Sequence, residues 1–268
     1  MDPERDRTFA LDGRVALVTG ATGYLGRAIV AGLARAGATV LVNGRRLDSV
    51  AQLVASVNEA GHKARAAVFD VREIGPVNAL CAELVAGKTG LDILVNNAYA
   101  GAQGSVDTAR PENFRDSFEV AVTSPFLLIQ AMLPALEMAA ARNGQASIVN
   151  IASMYGSVSP DPRLYGEIPP NPPFYGAAKG GLLQLTRYLA CHLAARRIRV
   201  NAVSPGPFPA PSVAQTQPDF VARLAERVPL GRIGIANEVA GPVVFLASDA
   251  ASYVTGANLA VDGGWTAW

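Results

Sequence analysis

Apolar residues fall along this chain in short runs of two kinds, and their alternation sets the expected fold. GRVALVTG, GATVLVNG, Ala64 to Phe69, Leu91 to Val95, Ser147 to Ile151, Ile198 to Val203 and Asn258 to Val261 are dense in aliphatic residues. Runs of this length, closed by Gly, Asn or Asp, read as buried strands. Between them stand segments with apolar residues at helical spacing: ATGYLGRAIVAGLARAG, with Ile29, Leu33 and Ala36 in line, then VNALCAELVAG, FLLIQAMLPALEMAAAR and ANEVAGPVVFLAS. Strands apolar on both faces and alternating with helices predict an α/β fold, a single doubly wound parallel sheet (Rossmann-like) with helices on both faces. Ligands of such sheets bind beyond the carboxyl ends of the strands. The polar residues that close these strands are therefore expected around one site.

The first strand breaks into a turn punctuated by Gly20, Gly23 and Gly26, with Thr22, Tyr24 and Leu25 between them, and a helix follows. Glycines permit a tight turn and close backbone approach, and the helix N-terminus offers free N–H groups to a pyrophosphate. A dinucleotide is the expected guest, although an ordinary βα turn would show the same glycines. The second strand, Val40 to Val42, ends at Asn43, Gly44 and Arg45. An acid at this tip would bind the ribose 2′-OH of NAD, and none is present. An arginine instead clamps a 2′-phosphate through its planar fork, so Arg45, helped by Arg46, points to NADP(H) in preference to NAD(H). Against this, both arginines suit a solvated surface, and Asp48 is near enough in sequence to weaken their field.

Candidate chemistry comes from FYGAAKGG, where Tyr175 and Lys179 stand four residues apart and so on one helix face. A free phenol has a pKa near ~10, and lowering it to about 7 requires roughly 4 kcal/mol. A positive charge about 4 Å away supplies a gross attraction of that order at an effective dielectric of about 20. The lysine can thus make the tyrosine a useful acid or base at neutral pH. The same spacing also serves an exposed helix face, so the pair gains its meaning from the rest of the chain.

Taken together, TGATGYLG, Asp70-Val71, Asn96-Asn97-Ala98, Ser153, Tyr175 with Lys179, Pro205-Gly206 and the terminal VDGGW resemble the short-chain dehydrogenase/reductase family over nearly the whole chain after about residue 10. VNGR after the second strand and PLGRIG before the last helix are most similar to its sugar or polyol oxidoreductases of the gluconate 5-dehydrogenase type. The resemblance implies that Tyr175 is the general acid or base, a role worth roughly 10² to 10⁴ in rate. Ser153 is implied to hold the substrate oxygen, and Lys179 to tune the phenol and bind the nicotinamide ribose. Asp70 and Val71 are implied to meet the adenine, Asn97 and Ala98 the adjoining ribose, and Pro205 and Gly206 the nicotinamide side.

Three departures qualify the likeness. Most of the family places an asparagine of the proton relay where this chain has Ala121, which cannot hydrogen-bond through its side chain. The GxxGxxG spacing, with Tyr24 after the middle glycine, looks more like the extended branch of the family and leaves 2′-phosphate recognition more heavily to Arg45. The stretch from about 154 to 174 is long and holds six prolines, so it is expected to be a stiff loop beside the substrate. Tyr155, Arg163 and Tyr165 are its candidate substrate contacts, against the alternative of a solvated surface lobe. A second proline-rich stretch, about 205 to 228, corresponds to the family's lid, or to a plain connector. Phe208 is its candidate apolar contact.

Composition bounds the rest. At 268 residues, 50% hydrophobic and 17% charged, the chain suits one catalytic domain over residues 11–268 behind a tail of residues 1–10. A net charge of +1 makes no case for nucleic acid or membrane partners. The charged first residues lack a secretory signal and no apolar run approaches membrane-spanning length, so a cytoplasmic location is expected. Cys81 and Cys191 fall in helical patterns as small buried hydrophobes, and two isolated histidines, His62 and His192, make no metal site. The family resemblance implies a homo-oligomer, tetramer or dimer, built on the long apolar helices. The combined expectation is an NADP(H)-dependent oxidoreductase interconverting a secondary alcohol and a ketone, with a small sugar- or polyol-like substrate. A 3-oxoacyl thioester reductase and a nucleotide-sensing protein with impaired turnover are the alternatives.

Overall fold

Seven aliphatic segments form one wholly parallel sheet in a computed structural model that describes residues 8–268. In chain order the strands are β1 (Val15–Val18), β2 (Thr39–Gly44), β3 (Lys63–Val68), β4 (Ile93–Asn96), β5 (Ala146–Ile151), β6 (Ile198–Pro205) and β7 (Asn258–Val261). Their spatial order is β3-β2-β1-β4-β5-β6-β7. The chain therefore reverses direction of winding between β1 and β4, which creates the crevice where such sheets bind ligands. β1, β4, β5 and β6 are buried along their whole length, as their unbroken apolar runs require. β3 and β7 sit at the edges and are largely exposed or half-buried, so the expectation of strands apolar on both faces holds only for the interior of the sheet.

Helices cover both faces. On one face α1 (Tyr24–Arg35) and α2 (Leu47–Glu59) bury Ile29, Leu33 and Val50 against β1 and β2, and α9 (Asn237–Ala247) buries Val239 and Val243 against α1, β5 and β6. On the other, α3 (Ile74–Ala86), α5 (Ser124–Asn143) and α6 (Pro173–Leu193) bury Leu84, Met132, Leu136 and Leu189 against Leu17, Leu94 and Ile148. The described part of the N-terminal tail packs on α9: the Thr8 carbonyl accepts from the Ala250 amide, and the Phe9 ring lies 6.3 Å from Phe245.

A helix missed by its polar sequence, α4 (Pro111–Phe118), runs through one π turn, Glu119–Thr123, into α5. The resulting rod, Pro111–Asn143, is long and apolar enough by length and composition to cross a membrane, but half of its most apolar window is buried within the fold. Ala121 lies in the π turn and is buried. The proline-rich stretch after β6 runs into two short helices, α7 (Pro211–Thr216) and α8 (Pro218–Arg227). The 154–174 stretch carries two 3-10 turns, Met154–Gly156 and Pro162–Leu164, before α6 begins. Cys81 is buried as expected, whereas Cys191 is exposed because its position on α6 faces outward.

Candidate active site

A cleft of about 650 Å³ opens at the carboxyl ends of the strands on both sides of the crossover between β1 and β4. Gly20, Thr22, Gly23, Tyr24, Leu25, Gly26, Asn43, Arg45, Asp70, Val71, Asn97 and Ala98 all line it. The glycine turn is packed without room for side chains. At Gly20, with φ +59°, a Cβ would stand 2.7 Å from the Ala98 Cα, and at Gly26 it would run into the Gly20 carbonyl. α1 starts at this turn with no side-chain cap and no acid in its first turn. Its leading N–H groups, on residues that line the cleft, are thus left for an anion. This cradle fits the pyrophosphate of a dinucleotide.

Several strand-end side chains brace the cleft through the backbone. Asn43 is buried, donates to Ala67 O at 2.9 Å and Phe69 O at 3.1 Å, and accepts from the Gly20 amide at 3.4 Å. The Asn97 amide donates to Thr19 O and Gly20 O, and the Thr19 hydroxyl accepts from the amides of Asn97 and Ala98. Tyr24 reaches from the turn to α9, where its hydroxyl accepts from the Ala236 amide. Asp70 takes the Arg72 guanidinium at 3.0 and 2.6 Å, which lowers its pKa to about 2. Arg45 is exposed at the rim and pairs with no carboxylate among the described residues, Asp48 included. Thr19 and Arg72 were not anticipated from sequence.

Ser153, Tyr175 and Lys179 meet beyond the end of β5. The turn Met154–Gly156 lies hard against α6: a Cβ on Gly156 would stand 2.9 Å from the Lys179 carbonyl carbon, and one on Gly176 2.8 Å from the Tyr155 oxygen. This contact between glycines and backbone presses the Ser153 end of the loop onto the face of α6 that carries Tyr175 and Lys179. Lys179 is buried, donates to Ile151 O at 2.7 Å, and stands 5.8 Å from the centre of the Tyr175 ring. Burial drives the Lys179 pKa down to about 8. Burial also raises that of Tyr175, with the neighbouring Ser153 hydroxyl acting in the opposite direction. Desolvation, which opposes the gross attraction of the lysine for the phenolate, is the largest influence on both groups.

The expected single site is divided. The cleft lining includes Tyr99, whose ring packs edge-on against Tyr175 at 4.9 Å, but it does not reach Ser153, Tyr175 or Lys179. Pro205 and Gly206 close β6 and lie outside the cleft as well, with the Gly206 amide donating to Val261 O. Tyr155 and Tyr165 are buried and share a hydrogen bond of 2.7 Å; Tyr155 belongs with Leu224 and Trp265 to an apolar cluster that packs on Tyr175, and the Tyr165 ring packs on Phe220 at its edge. Burial raises the pKa of both phenols as it does that of Tyr175, and what sets them apart from Tyr175 is that neither has a lysine four residues on. Arg163 does not face this cluster: its side chain is exposed and forked onto Asp161. Phe208 turns the other way, packing against Gly234 and the α1 side of the core.

A family model described as enoyl-(acyl carrier protein) reductase, one of those of the short-chain dehydrogenases, matches residues 20–266. The 2-dehydro-3-deoxy-D-gluconate 5-dehydrogenase of Escherichia coli K12 is 34% identical over 97% of this chain and 98% of that enzyme. The cis-4-hydroxycyclohexanecarboxylate dehydrogenase of Sinomonas cyclohexanicum is 39% identical over 95% of this chain and 97% of that enzyme. Among solved structures, a gluconate 5-dehydrogenase from Burkholderia cenocepacia J2315 in complex with NADP and tartrate superposes with a TM-score of 0.86 at 33% identity, covering 98% of both chains. The chain belongs to the short-chain dehydrogenase/reductase family and is an oxidoreductase acting on CH–OH groups with a nicotinamide cofactor.

Proposed function

We propose that this protein interconverts a secondary alcohol and a ketone using NADP(H) in preference to NAD(H), on a small hydroxylated substrate of the sugar or polyol class. The observation that supports this reading above the others is the meeting of Ser153, Tyr175 and Lys179 where β5 ends and α6 begins, beside a dinucleotide-shaped cleft. When bound, the nicotinamide supplies the hydride chemistry. Tyr175 then gives or takes the proton at the substrate oxygen, Ser153 holds that oxygen, and Lys179 holds positive charge beside the phenol. The glycine turn and the head of α1 cradle the pyrophosphate, Asp70 and Val71 border the adenine end, and Arg45 meets the 2′-phosphate. Tyr155 and Tyr165, bonded to each other beside an apolar cluster of Met154, Leu224, Val228 and Trp265, give this wall two hydroxyls among apolar side chains, a mixture that suits a ring or chain carrying a few hydroxyl groups.

A catalytically impaired nucleotide sensor is the second reading, supported by the buried Ala121 at the relay position. Initial rates with NADP⁺ and with NAD⁺ on a panel of polyols, hydroxy acids and cyclic alcohols separate the two. Turnover on at least one secondary alcohol, faster with NADP⁺, is the expected result. Tight NADPH binding without turnover on any alcohol or ketone would favour the sensor. The resemblance extends the proposal to a homo-oligomer, with the exposed Phe118 and Phe126 of the α4–α5 rod as the apolar surface it would cover, and the charged first residues extend it to a cytoplasmic location.

A further inference from the structure

Lys179 presents a problem of satisfaction. Its ammonium has three N–H donors and is buried, yet it makes one hydrogen bond, to Ile151 O. What surrounds the rest of it is aromatic: Nζ lies 5.2 Å from the centre of the Tyr99 ring and 5.8 Å from that of Tyr175. Ring faces attract a cation, and the attraction is stronger where water is excluded. Tyr99 is therefore a second counterpart for the buried ammonium. It is held there by a chain of hydroxyls. Ser117 Oγ donates to Phe174 O at 3.1 Å, so its proton is engaged, and the Tyr99 phenol 3.1 Å away must be the donor to Ser117. Room for the ring depends on Gly101, where a Cβ would collide with the Tyr99 ring and hydroxyl. The ring stands edge-on to Tyr175 at 80° and also lines the nucleotide cleft, so it forms the partition between the two.

We propose that Tyr99 is a positioning residue of the nicotinamide subsite: its ring occupies the space against Lys179 and Tyr175 that the nicotinamide half needs, and it must swing out before that half can reach them. This rests on the dinucleotide reading above. Opening breaks the Tyr99–Ser117 hydrogen bond, the edge contact with Tyr175 and the contact of the ring with the Lys179 ammonium, and the cofactor's binding energy must offset all three. The adenosine half meets no such cost, because the residues around the glycine turn and Arg45 already line an open cleft.

The test compares two probes that share one half, NADP⁺ and 2′,5′-ADP, each titrated calorimetrically into wild type, Tyr99→Ala, Tyr99→Phe and Ser117→Ala. Tyr99→Ala is expected to tighten NADP⁺ by roughly tenfold or more, the combined worth of one neutral hydrogen bond, one aromatic contact and one cation–π contact, and to leave 2′,5′-ADP within about twofold. Tyr99→Phe and Ser117→Ala, which keep the ring and release only the latch, are expected to tighten NADP⁺ by a smaller factor and again to spare 2′,5′-ADP. A loss of NADP⁺ affinity in Tyr99→Ala, or equal shifts for the two probes, would overturn the proposal and leave the nucleotide reading standing. Wild type that binds neither probe nor NADPH would overturn both together.

Discussion

The hydroxyls of Tyr155 and Tyr165 lie 2.7 Å apart inside the protein and tie the start of the proline-rich loop to its middle. The same Tyr165 ring packs on Phe220 of α8 at 5.2 Å, and Arg223 of α8 donates to Leu164 O at 2.7 Å. The loop and α8 are thus joined into one wall beside Tyr175.

Removing one phenol from this pair leaves the other buried without its partner. Tyr165→Phe is expected to cost about 1–3 kcal/mol of stability, read as a lower urea midpoint at unchanged slope. It should also raise KM for a hydroxylated substrate more than it lowers kcat. An unchanged urea midpoint would show that the 2.7 Å contact contributes nothing to the fold.

At the other end of the site, cofactor choice should follow the unpaired guanidinium of Arg45. Arg45→Asp is expected to weaken NADPH by about 10- to 100-fold, the worth of a charge-assisted hydrogen bond, and NADH by far less. Fluorescence titration with both nucleotides checks this. Equal losses for the two would mean that the 2′-phosphate is read elsewhere, with Arg72, at the same rim but engaged by Asp70, the next residue to change.

Burial of Lys179 has a consequence for stability against pH. Its folded pKa of about 8 lies below the unfolded value of 10.5, so between those two pH values the unfolded chain holds a proton the folded chain has released. Stability from this group therefore rises with pH across that window and is depressed below it. Lys179→Met removes the effect. The variant's stability relative to wild type is expected to fall by about 2–3 kcal/mol between pH 7 and 10.5, measured by urea unfolding at matched ionic strength. A difference that stays flat with pH would mean that Lys179 is not desolvated.

Much of the sheet was legible because its interior strands are buried on both faces, and β1, β4, β5 and β6 have no alternative to an unbroken apolar run. Parallel pairing then sends all strand ends to one edge, which is why residues as distant as Gly20, Asp70 and Asn97 could be placed around one cleft. Tyr99 was not legible: it sits in a stretch of small residues without periodicity, and nothing in its spacing relates it to Lys179, eighty residues on. Arg163 misled for the opposite reason, since a charge in a substrate loop invites a functional reading. Asp161 two residues earlier accepts from the Arg163 amide and takes its guanidinium, a local turn that needs no substrate. The helix α4 escaped because PENFRDSF is polar and exposed, with Ser117 its buried residue.

The account turns on Tyr175 as the group that exchanges a proton with the substrate oxygen. Its most direct test is Tyr175→Phe, assayed both for turnover of the best alcohol by reduced-nicotinamide absorbance and for NADPH affinity. The account predicts a loss of kcat of about 10² to 10⁴ with NADPH binding within a few-fold of wild type. A variant that turns over at close to the wild-type rate would contradict it.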